Sequence, residues 1–305
     1  MRYLDAGAVA GLSPVAAVEA VRAALRGGFD PVSDPARIPV DLAHGQFLLM
    51  PSQSSGGAGV KVATVAPDNP ARGLPRIQAV YLLFDEHTLS LRAALDGTAL
   101  TTLRTPAVSV AAVLDRLPRR PLRVAVVGAG PQAVGHVDTL AAVRDLEAAT
   151  YLVREPSRAP VEAVALGSPE SAEVLRGADV VVCATSARTP VFDSDLLSDH
   201  AVVIAVGSHE PDARELDAAL LGRATVVVED VATALREAGD VVLAIADGAL
   251  AAADLVALRD VVTGAVALPA DRPVVFKSVG MSWQDLVVAQ AVVARTDDPA
   301  GPVPS

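Results

Sequence analysis

The sequence predicts an α/β protein in which a doubly wound parallel sheet is combined with a second, α+β domain. From residue 119 to 274, valine-rich segments such as LRVAVVG, ADVVVCAT and ATVVVED alternate with helical stretches. Strands with so little polar content are buried on both faces, as in parallel sheets that helices cover on both sides. Before residue 119 the pattern changes to short alternating segments, which loops such as PDNPARGLP separate.

The first part of the chain is predicted to begin with a helix and to continue as a sheet. Ser13 can cap the helix, Pro14 suits its first position, and Gly27 ends it. From residue 37 to about 109, segments such as GVKVATV predict a sheet with loops, in which Asp96 and Gly97 form a turn. We therefore expect an α+β arrangement before the parallel sheet.

Two segments place the domain boundaries. The run DRLPRRPLR at 115–123 concentrates proline and arginine and predicts a hinge. Near the other end, PVVF is typical of a strand, and SWQDLVVAQAVVA has the apolar spacing of a helix that packs back on the protein. We expect one domain of residues 1–118 with 275–305, and a doubly wound domain of residues 119–274. The final run, RTDDPAGPVPS, is predicted to be disordered.

Composition excludes several classes of protein. With 36 acidic and 25 basic residues the net charge is -11, so no broad positive surface is expected for DNA or RNA. The one cysteine, Cys183, has no partner for an internal disulfide, and its apolar strand predicts burial. The apolar runs are too short to span a bilayer, and the histidines lack metal-ligand spacing. We expect a soluble, cytoplasmic protein with no nucleic-acid, membrane or metal partner.

A glycine-rich turn follows the first predicted strand of the doubly wound domain. Gly128, Gly130 and Ala133 form the pattern G-x-G-x-x-A between a strand and a helix. The first glycine permits a tight turn, the second lets the backbone approach a pyrophosphate, and the alanine keeps helix and strand close. The helix N-terminus adds free N–H groups for phosphate. This pattern predicts a dinucleotide-binding (Rossmann) domain, with Pro131 and Gln132 as further cofactor contacts.

The end of the next strand is expected to select the cofactor. An acidic residue at this point would bond a ribose hydroxyl, whereas an arginine would favour a 2′-phosphate. Here the strand ATYLV is followed by Arg154, with Glu155 and Arg158 after it. The two arginines favour NADP(H), and Glu155 keeps NAD(H) open. Cofactor contacts are also assigned to residues at the ends of later strands, namely Thr185, Gly207 and Ser208.

Three cations stand in apolar or small surroundings: Arg37 in ARIPVD, Lys61 in GVKVAT and Arg104 in LTTLRTPAVS. Burial of a positive charge is costly unless an anion neutralises it. One acidic ligand could satisfy all three. The alternative is a set of structural ion pairs, for which the sequence offers the partners Asp41, Asp85 and Asp96.

At these residues the sequence resembles the ornithine cyclodeaminase and μ-crystallin family. The resemblance covers nearly the whole chain through ordered motifs: RIPVDLAHGQFLLMPS, GVKVATVAPDNPARGLP, AALDGTALTTLRTPAVS, VVGAGPQAVGH, GADVVVCATS, AVGSHEPDARELD and FKSVGMSWQDLVVA. It implies a substrate-binding and dimerisation domain, which the C-terminal helix completes, beside a Rossmann domain. It also implies a homodimer.

The resemblance further implies roles for individual residues. Arg37, Lys61 and Arg104 match the positions that hold the α-carboxylate of the substrate, which arginine forks and a lysine charge suit chemically. Such a clamp fixes the α-carbon for hydride transfer. Lys61 is the candidate proton donor, because a lysine among other cations has a lowered pKa. Gln78 and Met50 are expected to line the substrate pocket, although core packing explains Met50 equally well.

Two positions depart from the cyclodeaminase pattern. His209 stands where ornithine cyclodeaminases place an aspartate, and Leu48 stands where they place a glutamate. Both changes remove negative charge that the second ammonium group of ornithine requires. His209 is either a proton donor with a suitable pKa or a polar residue of a cofactor loop.

We therefore expect an NAD(P)H-dependent oxidoreductase that reduces a small α-imino (ketimine) or α-keto acid to an amino acid, or catalyses the reverse reaction. Two alternatives remain open. One is ornithine cyclodeaminase, a lyase that converts ornithine to proline and ammonia. The other is a cofactor-binding protein without catalysis, like the crystallin role in this family.

Overall fold

The computed structural model describes residues 2–298 and divides into two compact units. The first unit runs to Val108 and resumes at Gly280, and the second unit is Ser109–Val279. The sequence places these boundaries at 118/119 and 274/275, ten and five residues away from the observed ones.

The helices and strands of the described residues are numbered along the chain. The strands are β1 Arg2–Leu4, β2 Ile38–Leu42, β3 Gly45–Ser54, β4 Gly57–Val65, β5 Ile77–Phe84, β6 Leu91–Asp96, β7 Leu122–Val127, β8 Leu146–Val153, β9 Ala163–Ala165, β10 Val180–Cys183, β11 Val202–Ala205, β12 Thr225–Val228, β13 Val256–Ala257 and β14 Val274–Lys277. The α-helices are α1 Ala6–Ala10, α2 Pro14–Arg26, α3 Gly97–Val113, α4 Pro131–Val143, α5 Pro169–Gly177, α6 Ala218–Arg223, α7 Val231–Glu237, α8 Gly239–Ala246, α9 Leu258–Thr263 and α10 Ser282–Asp297.

The first unit is built on one mixed sheet with the strand order β1-β6-β5-β4-β3-β2. Strand β1 runs parallel to β6, and the other neighbours are antiparallel. Burial alternates along β4, so that Gly57, Gly59, Lys61 and Ala63 lie on the buried face. Helix α10 packs against strands β3, β4 and β5, and helix α2 packs against α10. This face of the sheet is therefore the one that carries Lys61.

Helix α2 confirms the first predicted element. The Ser13 hydroxyl accepts a hydrogen bond from the Ala16 N–H at 3.2 Å, Pro14 occupies the first turn, and the helix stops before Gly27. The apolar positions Val18, Val21 and Leu25 are buried at 1% exposure or less. Burial of this one face holds the helix on the unit, since short helices depend on packing rather than on intrinsic propensity.

Helix α3 corrects the prediction for residues 97–109, which are helical rather than sheet and loop. The Asp96 carboxylate accepts from the Ala99 N–H at 2.9 Å, so Asp96 caps the helix instead of forming a turn with Gly97. Pro106 lies inside α3. Because proline is unfavourable in a helix interior, its presence in the sequence argues against a helix at this position. The division between the two compact units falls within α3, ten residues before the predicted boundary.

The second unit confirms the predicted doubly wound parallel sheet. Its eight strands have the order β13-β12-β14-β11-β10-β7-β8-β9, and every described pair is parallel. The central strands β7, β10, β11 and β14 are almost entirely buried. Cys183 ends β10 with no exposed surface, as predicted. The topology places the ends of β7, β10 and β11 side by side at one edge of the sheet.

Helix α10 returns the chain to the first unit and confirms the predicted C-terminal helix. It continues through Asp297, so the prediction of disorder is wrong for residues 295–297. Residues 299–305 of that run lie outside the described residues. Among residues 2–298, none of the helices combines the length and apolar content that crossing a bilayer demands.

Candidate active site

Lys61 occupies the middle of the buried face of the first unit. It pairs with Met50 on β3 and with Tyr81 on β5, so these three side chains form one row across the sheet. Lys61 is 4% exposed, and Met50 and Tyr81 are 3% and 0% exposed. An ammonium group buried in such an apolar row requires an anion close by.

The anion is Asp285 in the first turn of α10. Its Oδ2 lies 2.8 Å from Lys61 Nζ, and its Oδ1 lies 3.4 Å from Arg104 Nε. Asp285 has no exposed surface. The sequence-based prediction did not include Asp285 and named Asp41, Asp85 and Asp96 as possible ion-pair partners. The signal that could have found it is a single acid within the apolar helical run SWQDLVVA.

The same segment of chain contacts the two arginines. Arg37 Nη2 donates to the Gly280 carbonyl oxygen at 2.5 Å, and Arg104 Nη1 donates to Gln284 Oε1 at 2.6 Å. Gly280 has φ +79°, and a Cβ built there would lie 2.9 Å from Arg104 Nη2. Glycine is thus needed here both for backbone conformation and for space. Residues 280–285 therefore hold Arg37, Lys61 and Arg104 together, and we call these three side chains the cation cluster.

Positive charge predominates in the cation cluster. Lys61 and Arg104 each form an ion pair with the Asp285 carboxylate, and Arg37 lies close enough to Lys61 to lower its pKa, so the three cations exceed the charge of this one carboxylate. Burial lowers the pKa of Lys61 to about 8, with Asp285 opposing the shift and Arg104 and Arg37 adding to it. Burial raises the pKa of nearby Asp34 to about 6, against hydrogen bonds from Ser52 and the Trp283 N–H. A ligand carboxylate would neutralise part of the remaining charge.

The other predicted substrate contacts are divided between the two faces of the sheet. Met50 adjoins Lys61, and Leu48 lies two residues away on the same face of β3, half-buried. Gln78 pairs with Thr64, three residues from Lys61, and therefore lies on the opposite face, where it is exposed. The structure brings Met50 to the cation cluster and does not bring Gln78 there.

The glycine turn of the second unit has the geometry of a phosphate-binding loop. Gly128 has φ +111°, and a Cβ there would lie 2.6 Å from the Ala184 carbonyl oxygen. A Cβ on Gly130 would meet no atom of the described residues within 4 Å, so the backbone is open at this point. Pro131 begins the 13-residue helix α4, and Ala133 is fully buried. This arrangement fits the pyrophosphate of a dinucleotide, which the helix N-terminus would bind.

The predicted cofactor-selecting arginines follow β8 directly. Arg154 is exposed after the last strand residue, Val153. Arg158 Nε lies 2.9 Å from Glu155 Oε2 in a solvent-exposed pair. Glu155 is therefore partly neutralised by Arg158, while Arg154 stands at the strand end.

A buried carboxylate that the sequence missed, Glu215, joins the ends of β10 and β11. Its Oε1 accepts from the Thr185 N–H at 2.8 Å and from the Thr185 hydroxyl at 2.7 Å, and its Oε2 accepts from the Gly207 N–H at 2.7 Å. Burial raises the pKa of Glu215. Ser208 donates to the Ala213 carbonyl oxygen, and the next residue, His209, is exposed. Thr185, Gly207 and Ser208 thus lie together at one edge of the sheet, with a fixed backbone.

The second lysine of the chain lies beneath this edge. Lys277 Nζ is 2.9 Å from Asp240 Oδ2 and donates to the Ser208 carbonyl oxygen at 2.6 Å. Lys277 and Asp240 are each 1% exposed. Asp240 Oδ1 also accepts from the N–H groups of Glu215 and Leu216, so this pair stabilises the loop that carries His209.

No group of three or more histidine, cysteine, aspartate or glutamate side chains within residues 2–298 has the geometry to hold a metal ion. His136 is fully buried in α4, where its ring nitrogens lie 2.7 Å from the Gln132 carbonyl oxygen and 2.9 Å from the Ser109 hydroxyl. Burial lowers the pKa of His136 to about 4. This histidine is neutral at physiological pH and structural.

Comparison with known proteins gives consistent results across the chain. The model of the family described as ornithine cyclodeaminase/mu-crystallin matches residues 12–299. Delta(1)-pyrroline-2-carboxylate reductase 2 of Burkholderia ambifaria is 32% identical over 272 residues, which are 85% of this chain and 84% of that protein. Ketimine reductase mu-crystallin of Rattus norvegicus is 33% identical over 271 residues, with 86% and 84% covered.

A solved structure shares the fold over the same extent. Delta(1)-pyrroline-2-carboxylate reductase of Thermococcus litoralis, in complex with NADH and L-proline, aligns with a TM-score of 0.85 and 26% sequence identity. The alignment covers 99% of each chain.

Proposed function

Because the chain belongs to the ornithine cyclodeaminase/mu-crystallin family, we propose that it is an NAD(P)H-dependent oxidoreductase that reduces a small cyclic ketimine acid to an amino acid. The reverse oxidation uses the same groups. The observation that carries the proposal is the cation cluster, in which Lys61 and Arg104 share the buried carboxylate of Asp285 and Arg37 is held by the Gly280 carbonyl oxygen of the same segment. The names of the relatives, which are pyrroline-carboxylate and ketimine reductases, support the same chemistry.

The cation cluster binds the substrate carboxylate in this proposal. Arg37 and Arg104 offer guanidinium donors, which bind a carboxylate with defined geometry. Hydrogen bonds already orient both guanidinium groups, that of Arg37 to the Gly280 carbonyl oxygen and that of Arg104 to Gln284 Oε1. Such preorganisation lowers the entropic cost of holding the acid in one orientation.

Lys61 supplies the proton for the imine nitrogen. With a pKa of about 8, it is mainly charged at neutral pH and yet releases a proton more readily than an ordinary lysine. In the direction of reduction the donor must be protonated, so activity is expected to fall as the pH rises through this value. Oxidation of the amino acid requires the neutral amine of Lys61 as the proton acceptor, so the rate of oxidation is expected to rise as the pH rises through this value.

The glycine turn at 128–133 and the edge formed by Thr185, Gly207 and Ser208 hold the cofactor in this proposal. When bound, the reduced nicotinamide supplies the hydride. The open backbone at Gly130 supports pyrophosphate binding, because a side chain there would occupy the space of the phosphate oxygens.

The surroundings of Lys61 favour an apolar ring over a second ammonium group. On its face of the sheet the strand neighbours Met50, Leu48, Ala63 and Tyr81 are uncharged. The two nearby carboxylates are already engaged, Asp285 by Lys61 and Asp34 by the Ser52 hydroxyl and the Trp283 N–H. A five- or six-membered ketimine ring fits such neighbours better than the charged side chain of ornithine. His209 is exposed, which supports a loop role for it better than a role as proton donor.

The test is oxidation of NADH and NADPH with Δ1-pyrroline-2-carboxylate and Δ1-piperideine-2-carboxylate, followed at 340 nm. Turnover with formation of proline or pipecolate is expected. Ornithine with a catalytic amount of NAD serves as the second arm. Proline from ornithine, or cofactor binding without turnover of any ketimine acid, would contradict the proposal.

We further propose that NADPH is preferred over NADH and that Arg154 is responsible. Arg154→Ala is expected to lower kcat/KM for NADPH by about tenfold, equivalent to about 1.4 kcal/mol, and to change the value for NADH little. Arg158→Ala is the matched control, because Arg158 is already paired with Glu155. Equal losses with both cofactors would exclude a phosphate contact.

We also propose a homodimer that uses the exposed face of the first sheet. Ile38, Val40, Leu42 and Phe47 lie on one face and are 36% to 50% exposed, an apolar patch unusual for a surface. Val40→Glu is expected to shift the molar mass from dimer to monomer by light scattering. Val32→Glu is the control, since Val32 is 75% exposed but outside the sheet. A monomeric wild type would contradict this proposal.

A further inference from the structure

Both lysines of this chain are buried, and each is paired with one buried aspartate. The sequence has Lys61 and Lys277 and otherwise uses arginine for its cations. Lys61 pairs with Asp285 at 2.8 Å in the first unit, and Lys277 pairs with Asp240 at 2.9 Å in the second. Lys277 also donates to a backbone carbonyl and stabilises a loop, whereas Lys61 belongs to the cation cluster.

We propose that Asp285 is a positioning residue of the acid site: its carboxylate keeps the Lys61 ammonium group charged and holds it beside Arg104. This inference rests on the proposed function only for its kinetic consequence. The electrostatic role of Asp285 follows from the arrangement of the side chains alone.

The geometry around Lys61 assigns this role to Asp285 rather than to another group. Charged and titratable groups reach the cluster from several elements: Asp285 from α10, Arg104 from α3, Arg37 from the segment before β2, Asp34 from the preceding loop and Tyr81 from β5. Asp285 is the carboxylate with an ion-pair distance to both Lys61 and Arg104. The Asp34 carboxylate instead accepts from the Ser52 hydroxyl and the Trp283 N–H.

Removal of the Asp285 carboxylate would take away the interaction that favours the charged form of Lys61. Burial and the neighbouring arginines favour the neutral amine of Lys61 and lower its pKa, whereas Asp285 favours the ammonium form and raises the pKa. In Asp285→Asn the ammonium would therefore lose its proton at lower pH. Lys61 would then be a neutral amine at the pH at which it must attract the substrate carboxylate and donate a proton to the imine nitrogen.

The two-lysine composition permits a direct measurement. Protein labelled with ¹³C at the lysine ε carbon gives two side-chain signals, which can be titrated without substrate or cofactor. In Asp285→Asn the midpoint of the Lys61 signal is expected to fall by about 1–3 pH units, the usual effect of one opposite charge at this distance. Asp285→Ser is a second neutral variant in case the asparagine variant folds poorly. An unchanged Lys61 midpoint in a folded neutral variant overturns the proposal.

Asp240→Asn is the matched control, because it removes the aspartate of the other buried lysine pair. It should leave the midpoint of the Lys61 signal in place. If it moves the Lys61 midpoint as far as Asp285→Asn does, the effect is not local and the proposal fails.

The kinetic measurement is the pH profile of ketimine reduction. The inflection of kcat is expected to shift downward in Asp285→Asn by the amount that the NMR titration gives, and Asp285→Glu should return it toward the wild-type value. A loss of rate at every pH without a shift indicates a merely structural role and overturns the proposal. A shifted NMR midpoint in a protein that reduces no ketimine contradicts the proposed function and leaves the role of Asp285 intact.

Discussion

Lys61→Met is expected to lower kcat/KM for ketimine reduction by about 10³-fold, within the range of about 10²–10⁴ for loss of a positioned general acid. The change removes the proposed proton donor, which is also one of the three positive charges proposed to bind the substrate acid. Methionine retains the length of the side chain and resembles Met50, its neighbour across the strands. Steady-state kinetics across the pH range, with NADPH saturating, provide the measurement.

Lys61→Met also leaves the Asp285 carboxylate buried with Arg104 as its remaining ion-pair partner at 3.4 Å. Loss of one partner of a buried pair costs about 3–5 kcal/mol of stability, so the variant is expected to unfold at lower temperature. The double variant Lys61→Met/Asp285→Asn removes both charges and should recover much of the thermal stability. It should not recover activity. Recovery of turnover in the double variant would show that Lys61 acts only through folding.

Gly130→Ala is expected to weaken NADPH binding by about 10- to 100-fold, the effect of losing a charge-assisted hydrogen bond of about 1.5–3 kcal/mol. The backbone at Gly130 is open among the described residues, so the methyl group creates no collision within the protein itself. It would instead meet the pyrophosphate. Fluorescence titration with NADPH measures the affinity, and the melting temperature without cofactor should be nearly unchanged.

Gly128→Ala provides the contrast. A methyl group there would lie 2.6 Å from the Ala184 carbonyl oxygen, at a φ of +111° that disfavours any other residue. This variant is expected to lose stability in the absence of cofactor as well. If both variants changed only the melting temperature and left NADPH affinity intact, the glycine turn would be structural and cofactor binding would have to lie elsewhere.

The residues with local signals could be predicted from sequence. Helix α2 has a cap, a proline and a glycine stop, all within a few residues of the helix. The glycine turn has fixed spacing between a strand and a helix. Such signals require no knowledge of distant contacts.

The residues that depend on distant contacts could not be predicted. Asp285 meets Lys61 across 224 residues of chain, and nothing near Lys61 indicates its partner. Glu215 accepts from Thr185 thirty residues earlier, so its role depends on which strand ends are adjacent. Helix α3 was missed for a different reason, because a proline in its interior contradicts the local helical signal.

The burial of both lysines has a practical consequence for the handling of this protein. An endoprotease specific for lysine must reach Lys61 and Lys277, and both side chains lie in the interior at 4% and 1% exposure. Cleavage by such a protease therefore requires local or global opening, while arginine-specific digestion meets many exposed sites. The rate at which a lysine-specific protease cuts the chain would report separately on opening near β4 and near β14.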